Sequence, residues 1–435
     1  MKTLLKSSLS RRAAIILGAA SALALSTSFA LAADPMKVWH HGGKADGERG
    51  VIAKQIDAWN AANPATPAEL VLLPEAAYNE QVQAAALAGT LPDLLDFDGP
   101  NYANYVWSGY LDPMNGLVDQ AVIDDLLPSL VAQGTYAPDG KLYAIGQFDS
   151  GLGLWGSKEK LTKAGIRIPT GVADAWTGAE FEDALKKLKA SGVEFPLDMK
   201  LNYGKGEWYT YGFSPMLQSM GGDLINRTTW KAEGTLNSAG SIKAMAAFQG
   251  WIKAGYVVPA SAGDDNFYGK KNVGLALVGH WMYGAHSKAL GEDLILLPMP
   301  KFGDKHVTGM GSWCWGISTS STKKPDTAKL LAFLMSDANI VEMTTSSGAV
   351  PGTKTAADKQ PLFAAGGKLR NYVDQLTSIA VPRPAYPGYP VITASFAQAV
   401  DDIINGADVK ASLDKAAAAV DADSAANKGY PPFTK

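Results

Sequence analysis

The sequence predicts an α/β protein built on parallel-type sheets with flanking helices. Short apolar runs of strand length alternate with helical stretches of amphipathic spacing, the pattern of βαβ units. At 435 residues and 47% apolar, the chain can form two or three domains, or one two-lobed body with ample core. It has a single cysteine, Cys314, which excludes an intrachain disulfide and a Cys-cluster metal site.

Residues 1–32 precede the fold. Lys2, Lys6, Arg11 and Arg12 make a basic start, Ala13 to Leu25 is mostly apolar, and Ala30-Leu31-Ala32 supplies a small–x–small cleavage pattern. This reads as a cleaved export signal, either Sec or twin-arginine. Ser10-Arg11-Arg12 resembles the latter, although Ala14 stands where that motif prefers Phe. No later run approaches about 18 apolar residues, and no cysteine follows the cleavage site to carry a lipid, so a bacterial periplasm is the expected location.

Met36 to His40 then reads as a strand. Val51, Ile52, Gln55, Ile56 and Trp59 follow helical spacing up to a stop at Asn63-Pro64. Leu70 to Leu73 is a second strand, Tyr78 to Leu87 a helix closed by Gly89, and Asp93 to Phe97 a third strand. Ligands bind beyond the carboxyl ends of such strands, which places His40, His41, Asp96 and Asp98 at a binding edge. Further helices are marked by Phe181, Leu185 and Leu188, and by Ala244, Phe248, Trp251 and Ile252. Leu275 to Val278 is a buried strand. Leu294 to Leu297, ended by Pro298 and Pro300, is expected to cross between lobes, and Tyr143–Phe148 and Leu296–Pro300 are the expected hinges. Phe396, Val400, Ile403 and Ile404 mark a helix stopped at Asn405-Gly406, and another runs through Val409, Leu413 and Val420.

With 39 basic against 42 acidic residues, a net charge of −3 leaves no basic excess for nucleic acid. Gly151-Leu152-Gly153-Leu154-Trp155-Gly156 matches G-x-G-x-x-G, yet inside a strand-like run, where the dinucleotide turn does not belong. No phosphate loop, H-E-x-x-H pair or G-x-S-x-G elbow occurs. His40 and His41 are neighbours, so an extended strand end would send their side chains to opposite faces. That favours a hydrogen bond to a ligand, or a packing role, over joint metal ligation. No metal or cofactor is expected.

Asp98, Asp149 and Glu207 sit beside aromatics at turns. They read either as acceptors for sugar hydroxyls or, for Asp149 and Glu207, as a glycosidase acid/base pair. Several of the eleven tryptophans follow turn residues: Trp208, Trp281 and Trp313. Loop aromatics offer flat surfaces to the C–H face of a pyranose. Trp281 reads as the main platform, with a core tryptophan capping the sheet as the alternative.

Together these segments resemble the family-1 extracellular solute-binding proteins of bacterial ABC sugar importers, the maltose-binding type. The likeness rests on Tyr78 to Val82 leading to Ala88-Gly89-Thr90-Leu91-Pro92-Asp93, on Ser108-Gly109-Tyr110-Leu111-Asp112-Pro113, and on Gly140-Lys141-Leu142-Tyr143. Lys163-Ala164-Gly165-Ile166, Met220-Gly221-Gly222 and Tyr386-Pro387-Gly388-Tyr389-Pro390 continue it. The chain departs from the family at Gly146, at Gly156-Ser157-Lys158 and in a longer His40–Glu48 loop.

The resemblance implies a type II periplasmic binding protein fold, two lobes closing on a ligand. The first lobe would span 33–147 and 298–350, the second 148–297 and 351–435. It also implies a carbohydrate ligand, membrane permease subunits as partners, no catalysis and a monomer. An anionic sugar derivative held by Arg383 and the histidines is a second reading. The implied ligand set is Asp98, Asp149, Trp208, Tyr211, Trp281, Gly311, Trp313 and Arg383, beside His40, His41 and Glu207 from the residue reading.

Overall fold

A computed structural model describes residues 34–42 and 46–431, so the expected export signal lies outside the described residues. The first sheet starts with β1 (Met36–Gly42), β2 (Ala68–Pro74) and β3 (Leu94–Asp98), with β1 parallel to both neighbours. The helices Asp46–Ala62 and Glu75–Ala88 make the crossovers. Gly89 ends the second of them at φ 66°, a left-handed conformation that favours glycine.

The chain then builds a second sheet from β4 (Leu152–Ser157), β5 (Phe195–Asp198), β6 (Val273–Gly279) and β7 (Leu294–Leu297), in spatial order β7-β4-β6-β5. It returns to the first sheet as β8 (Trp313–Ile317), antiparallel to β3. Both sheets are therefore mixed. β4 and β8 each enter from the opposite lobe, at the carboxyl ends of the parallel strands, and so run against them.

Period-2 alternation covers both faces of the first sheet. Val38, Leu94 and Trp315 pack with Ile52, Ile56 and Trp59 on one side, and Leu95, Phe97 and Cys314 pack with Tyr78, Val82 and Tyr105 on the other. A separate core joins Leu154, Leu275, Phe181, Trp251 and Phe396 in the second lobe. Among the described residues no helix is long and apolar enough to cross a membrane.

Four sequence expectations are corrected by this packing. Leu294–Leu297 is no crossing, because β7 pairs antiparallel with β4 inside the second sheet, and so Leu296–Pro300 is no hinge. Met299 and Phe302 also belong to the second core, and the chain returns to the first lobe only near Gly311 and not at 298. After residue 350 it stays on the first lobe, where Ala356 is in the first core and Gln360 bonds Thr345; Phe363 is the next core residue of the second lobe.

The observed links between lobes are Phe148–Asp149, paired with Val350–Pro351, and Gly311, whose N–H donates to the Ser150 carbonyl at 3.3 Å. The G-x-G-x-x-G match lies in β4 and serves packing. A Cβ on Gly153 would sit 2.5 Å from Leu296 Cδ1, and one on Gly156 would sit 3.1 Å from Leu161 Cδ1.

Candidate functional site

The carboxyl ends of β1 and β3 bring His40, His41 and Asp96 together. His41 Nδ1 lies 2.5 Å from Asp96 Oδ2, and its Nε2 lies 3.2 Å from Glu48 Oε2. With a carboxylate at each ring nitrogen, both nitrogens donate and the ring is an imidazolium. Burial opposes that charge, yet Asp96 and Glu48 overcome it and raise the pKa to about 10. The expected divergence of the two histidines fails here. His40 Nδ1 bonds the His41 carbonyl at 2.7 Å, and the two rings stack at 4.4 Å and 18°.

Ligand atoms of His40, His41 and Asp96 lie within 4.8 Å of one another. Ring nitrogens direct their lone pairs within the ring plane, so stacked rings send them side by side and not onto one ion. The cluster is a hydrogen-bonded charge pair that carries Trp313, whose indole stacks on His41 at 3.7 Å and 11°. Tyr78 meets the same indole edge-on at 5.4 Å.

Because the folded-state pKa of His41 is raised, its stabilising contribution is complete below the ordinary histidine value of 6.5 and is lost as pH rises through about 10. The difference in melting temperature between wild type and His41→Gln should therefore shrink from neutral pH upward. A gap that widens with pH would mean that the folded ring is neutral.

The second lobe supplies an aromatic cluster. The helix Glu207–Ser219 opens with Trp208 and Tyr211, and Trp281 follows the end of β6. Trp281 meets Trp208 edge-to-face at 5.8 Å and Tyr211 at 6.2 Å, and its Nε1 donates to the Tyr203 hydroxyl at 3.2 Å. Trp208 is buried, with its Nε1 on the Met199 carbonyl at 3.0 Å; Trp281 and Trp313 stay partly exposed.

Between these aromatics runs a charge bridge. Arg383 grips Asp98 with two bonds of 2.5 and 2.6 Å and donates to Glu207 at 2.5 Å. Its guanidinium lies 4.6 Å from the Tyr211 ring centre. Thr393, at 2.7 Å, and the Tyr389 hydroxyl also donate to Glu207. Burial raises the Glu207 carboxyl above its ordinary range, against the pull of Arg383. Gly311, at φ 123°, leaves room for the guanidinium, since a Cβ there would lie 3.1 Å from Arg383 Nη2.

Asp149 is set apart from that bridge. It is 1% exposed, takes the Ser150 N–H at 2.8 Å, and faces Gln133 at 3.3 Å. Burial pushes its carboxyl up.

The structure thus brings together Asp98, Glu207, Tyr211, Gly311 and Arg383 in one group, Trp208, Tyr211 and Trp281 in a second, and His40, His41 and Trp313 in a third. Sequence reasoning missed Tyr203, Glu48 and the relay from Tyr211 through Ser150 Oγ (3.0 Å) to His280 Nε2 (3.0 Å). Glu48 lies in the first turn of the helix Asp46–Ala62 that follows β1. Ser150, Tyr211 and His280 come from three distant segments, so no spacing relates them.

Residues 54–371 match the family described as bacterial extracellular solute-binding protein. An uncharacterized lipoprotein of Streptomyces antibioticus is 24% identical over 145 residues, a match spanning 33% of this chain and 32% of that relative. The fold is similar to that of the GacH receptor of Streptomyces glaucescens, solved unliganded and with acarbose, with a TM-score of 0.76 and 20% identity over 91% of this chain and 99% of the other. A Thermotoga lettingae solute-binding protein bound to α-D-tagatose has a TM-score of 0.76, with 21% identity over 92% of this chain and 100% of the other. Maltose-bound MalE3 of T. maritima has a TM-score of 0.75, with 19% identity over 88% and 99%. A two-lobed fold and a family match over most of the chain agree: this protein belongs to the bacterial extracellular solute-binding protein family.

Proposed function

We propose that the protein captures a neutral carbohydrate, a mono- or oligosaccharide or a polyol, and delivers it to the membrane permease subunits of an ABC importer. One observation carries the reading: Trp313 of the first lobe and Trp281 of the second remain partly exposed beside a polar charge bridge that joins the lobes. Flat aromatic faces suit sugar C–H surfaces, and fixed carboxylates suit hydroxyls. Trp281 is the main platform, with Trp208 and Trp313 as helpers. The folds shared with proteins solved with acarbose, tagatose and maltose support a sugar.

Among the described residues, the cations at the cleft are already matched. Arg383 is held by Asp98 and Glu207, and His41 by Asp96 and Glu48. That favours a neutral ligand over a sugar acid. A carbohydrate-active enzyme has less support, since Asp149 is enclosed and Glu207 is engaged by Arg383, Tyr389 and Thr393. The protein acts as a monomer without nucleic acid, in the periplasm after its signal is cleaved.

A thermal-shift and calorimetric screen with maltose, tagatose, sorbitol and galacturonate tests this. Ligand at a hundred times its Kd adds about 2.7 kcal/mol of stability. Shifts with galacturonate alone, or turnover of a glycan, would overturn the proposal. Lobes that share a ligand should also close on it, because contacts from both sides exist only in the closed state. Small-angle scattering should give a smaller radius of gyration with saturating ligand, and an unchanged radius would count against a closing cleft.

A further inference from the structure

The motif Gly279-His280-Trp281 holds a steric constraint that its position beside the cleft does not explain. Gly279 ends β6 at φ −84° and ψ −174°, extended backbone open to any residue. Its glycine identity is therefore not a backbone requirement. A Cβ built there would lie 2.0 Å from Trp281 Cζ3 and 2.5 Å from both Cε3 and Cη2. The indole occupies the space that a side chain at 279 would fill. Trp208 repeats the device more loosely on its own helix, where a Cβ on Gly212 would sit 3.0 to 3.1 Å from Trp208 Cζ2, Cε2 and Cη2. The two seated rings meet edge-to-face at 89°, and Tyr203 anchors the Trp281 Nε1 from the far side.

We infer that Gly279 is a positioning residue for ligand binding: the bare backbone is the seat against which Trp281 is laid, with Gly212 as the looser seat of Trp208. This rests on the reading of Trp281 as the stacking platform. A methyl group at 279 and the indole cannot share one volume. Backbone at 279 accepts alanine without strain, so the ring has to yield. The extra methyl would swing the indole to another rotamer, break its bond to Tyr203 and part it from Trp208. A sugar would then meet a platform in the wrong place, although every residue named as a ligand contact is still present.

The test compares Gly279→Ala, Trp281→Ala and the double variant with wild type. Two tryptophans in edge-to-face contact couple their electronic transitions, so near-ultraviolet circular dichroism of the ligand-free protein reports their geometry without a sugar. Gly279→Ala should lose the same spectral component as Trp281→Ala while far-ultraviolet dichroism is unchanged. Titration with maltose should show affinity lowered by about tenfold or more in both single variants. The double variant should bind no more weakly than Trp281→Ala, because the seat matters only through the ring it holds.

A wild-type near-ultraviolet spectrum in Gly279→Ala would overturn the inference. If Gly279→Ala fails to fold, the double variant decides: recovery of folding on removing the indole supports the clash, and no recovery refutes it. Undiminished maltose affinity in Trp281→Ala would instead sink the platform reading, while the displaced spectrum would still establish the seat.

Discussion

Arg383→Met should destabilise the folded protein by about 3–5 kcal/mol, the cost of removing one partner from a buried charge cluster. The Arg383 side chain is 5% exposed, and its partners Asp98 and Glu207 are 12% and 27% exposed. Without the guanidinium, two carboxylates face each other in a poorly hydrated site. The loss also has a pH signature. With Arg383 gone, nothing opposes the burial that already raises the Glu207 carboxyl, so its folded-state pKa lies further above its unfolded value. The folded variant then binds more protons than its unfolded chain, and its stability falls as pH rises through the carboxylate range.

Denaturant unfolding of wild type and variant should therefore converge at acid pH and diverge toward neutrality. Adding Asp98→Asn to Arg383→Met should recover part of the loss, since it removes one stranded charge. A variant as stable as wild type at neutral pH would mean that the bridge is solvated and contributes little.

Trp281→Ala should do the reverse, leaving stability almost intact and removing binding. A buried aromatic anchor is worth about 2 kcal/mol or more, close to thirtyfold in affinity. A core tryptophan would instead cost about 3–5 kcal/mol of folding stability. The structure favours the first outcome, because Trp281 is partly exposed and lies at the margin of the second core, whereas Trp155 and Trp176 are enclosed within it. Melting temperature without ligand and calorimetric titration with maltose separate the two. Large destabilisation with unchanged affinity in the remaining folded fraction would make Trp281 a packing residue.

Much of this architecture is legible in the sequence. The first βαβ units follow from local periodicity, because strand and helix write their spacing directly into consecutive residues: Met36–Gly42, Asp46–Ala62 and Ala68–Pro74 lie where the apolar pattern puts them. The helix stops at Asn63-Pro64 and Gly89 are equally local. The positions of Trp208 at a helix start and Trp281 after a buried strand were also readable.

What periodicity cannot carry is the direction in which a strand enters a sheet, or which lobe claims a segment. β7 has the apolar run of any strand, and only its antiparallel pairing with β4 made it part of the second sheet and not a crossing. The roles of the polar residues were decided in the same way. Asp98, Glu207 and Arg383 are separated by more than a hundred residues at each step, so no spacing could reveal that they neutralise one another. His40 and His41 stack because one ring nitrogen turns back to the chain's own carbonyl, a bond that overrides strand alternation. Local pattern determined the elements and the places of Trp208 and Trp281 on them. Tertiary contact decided the charges, because a buried ion is stable only where folding delivers its partner.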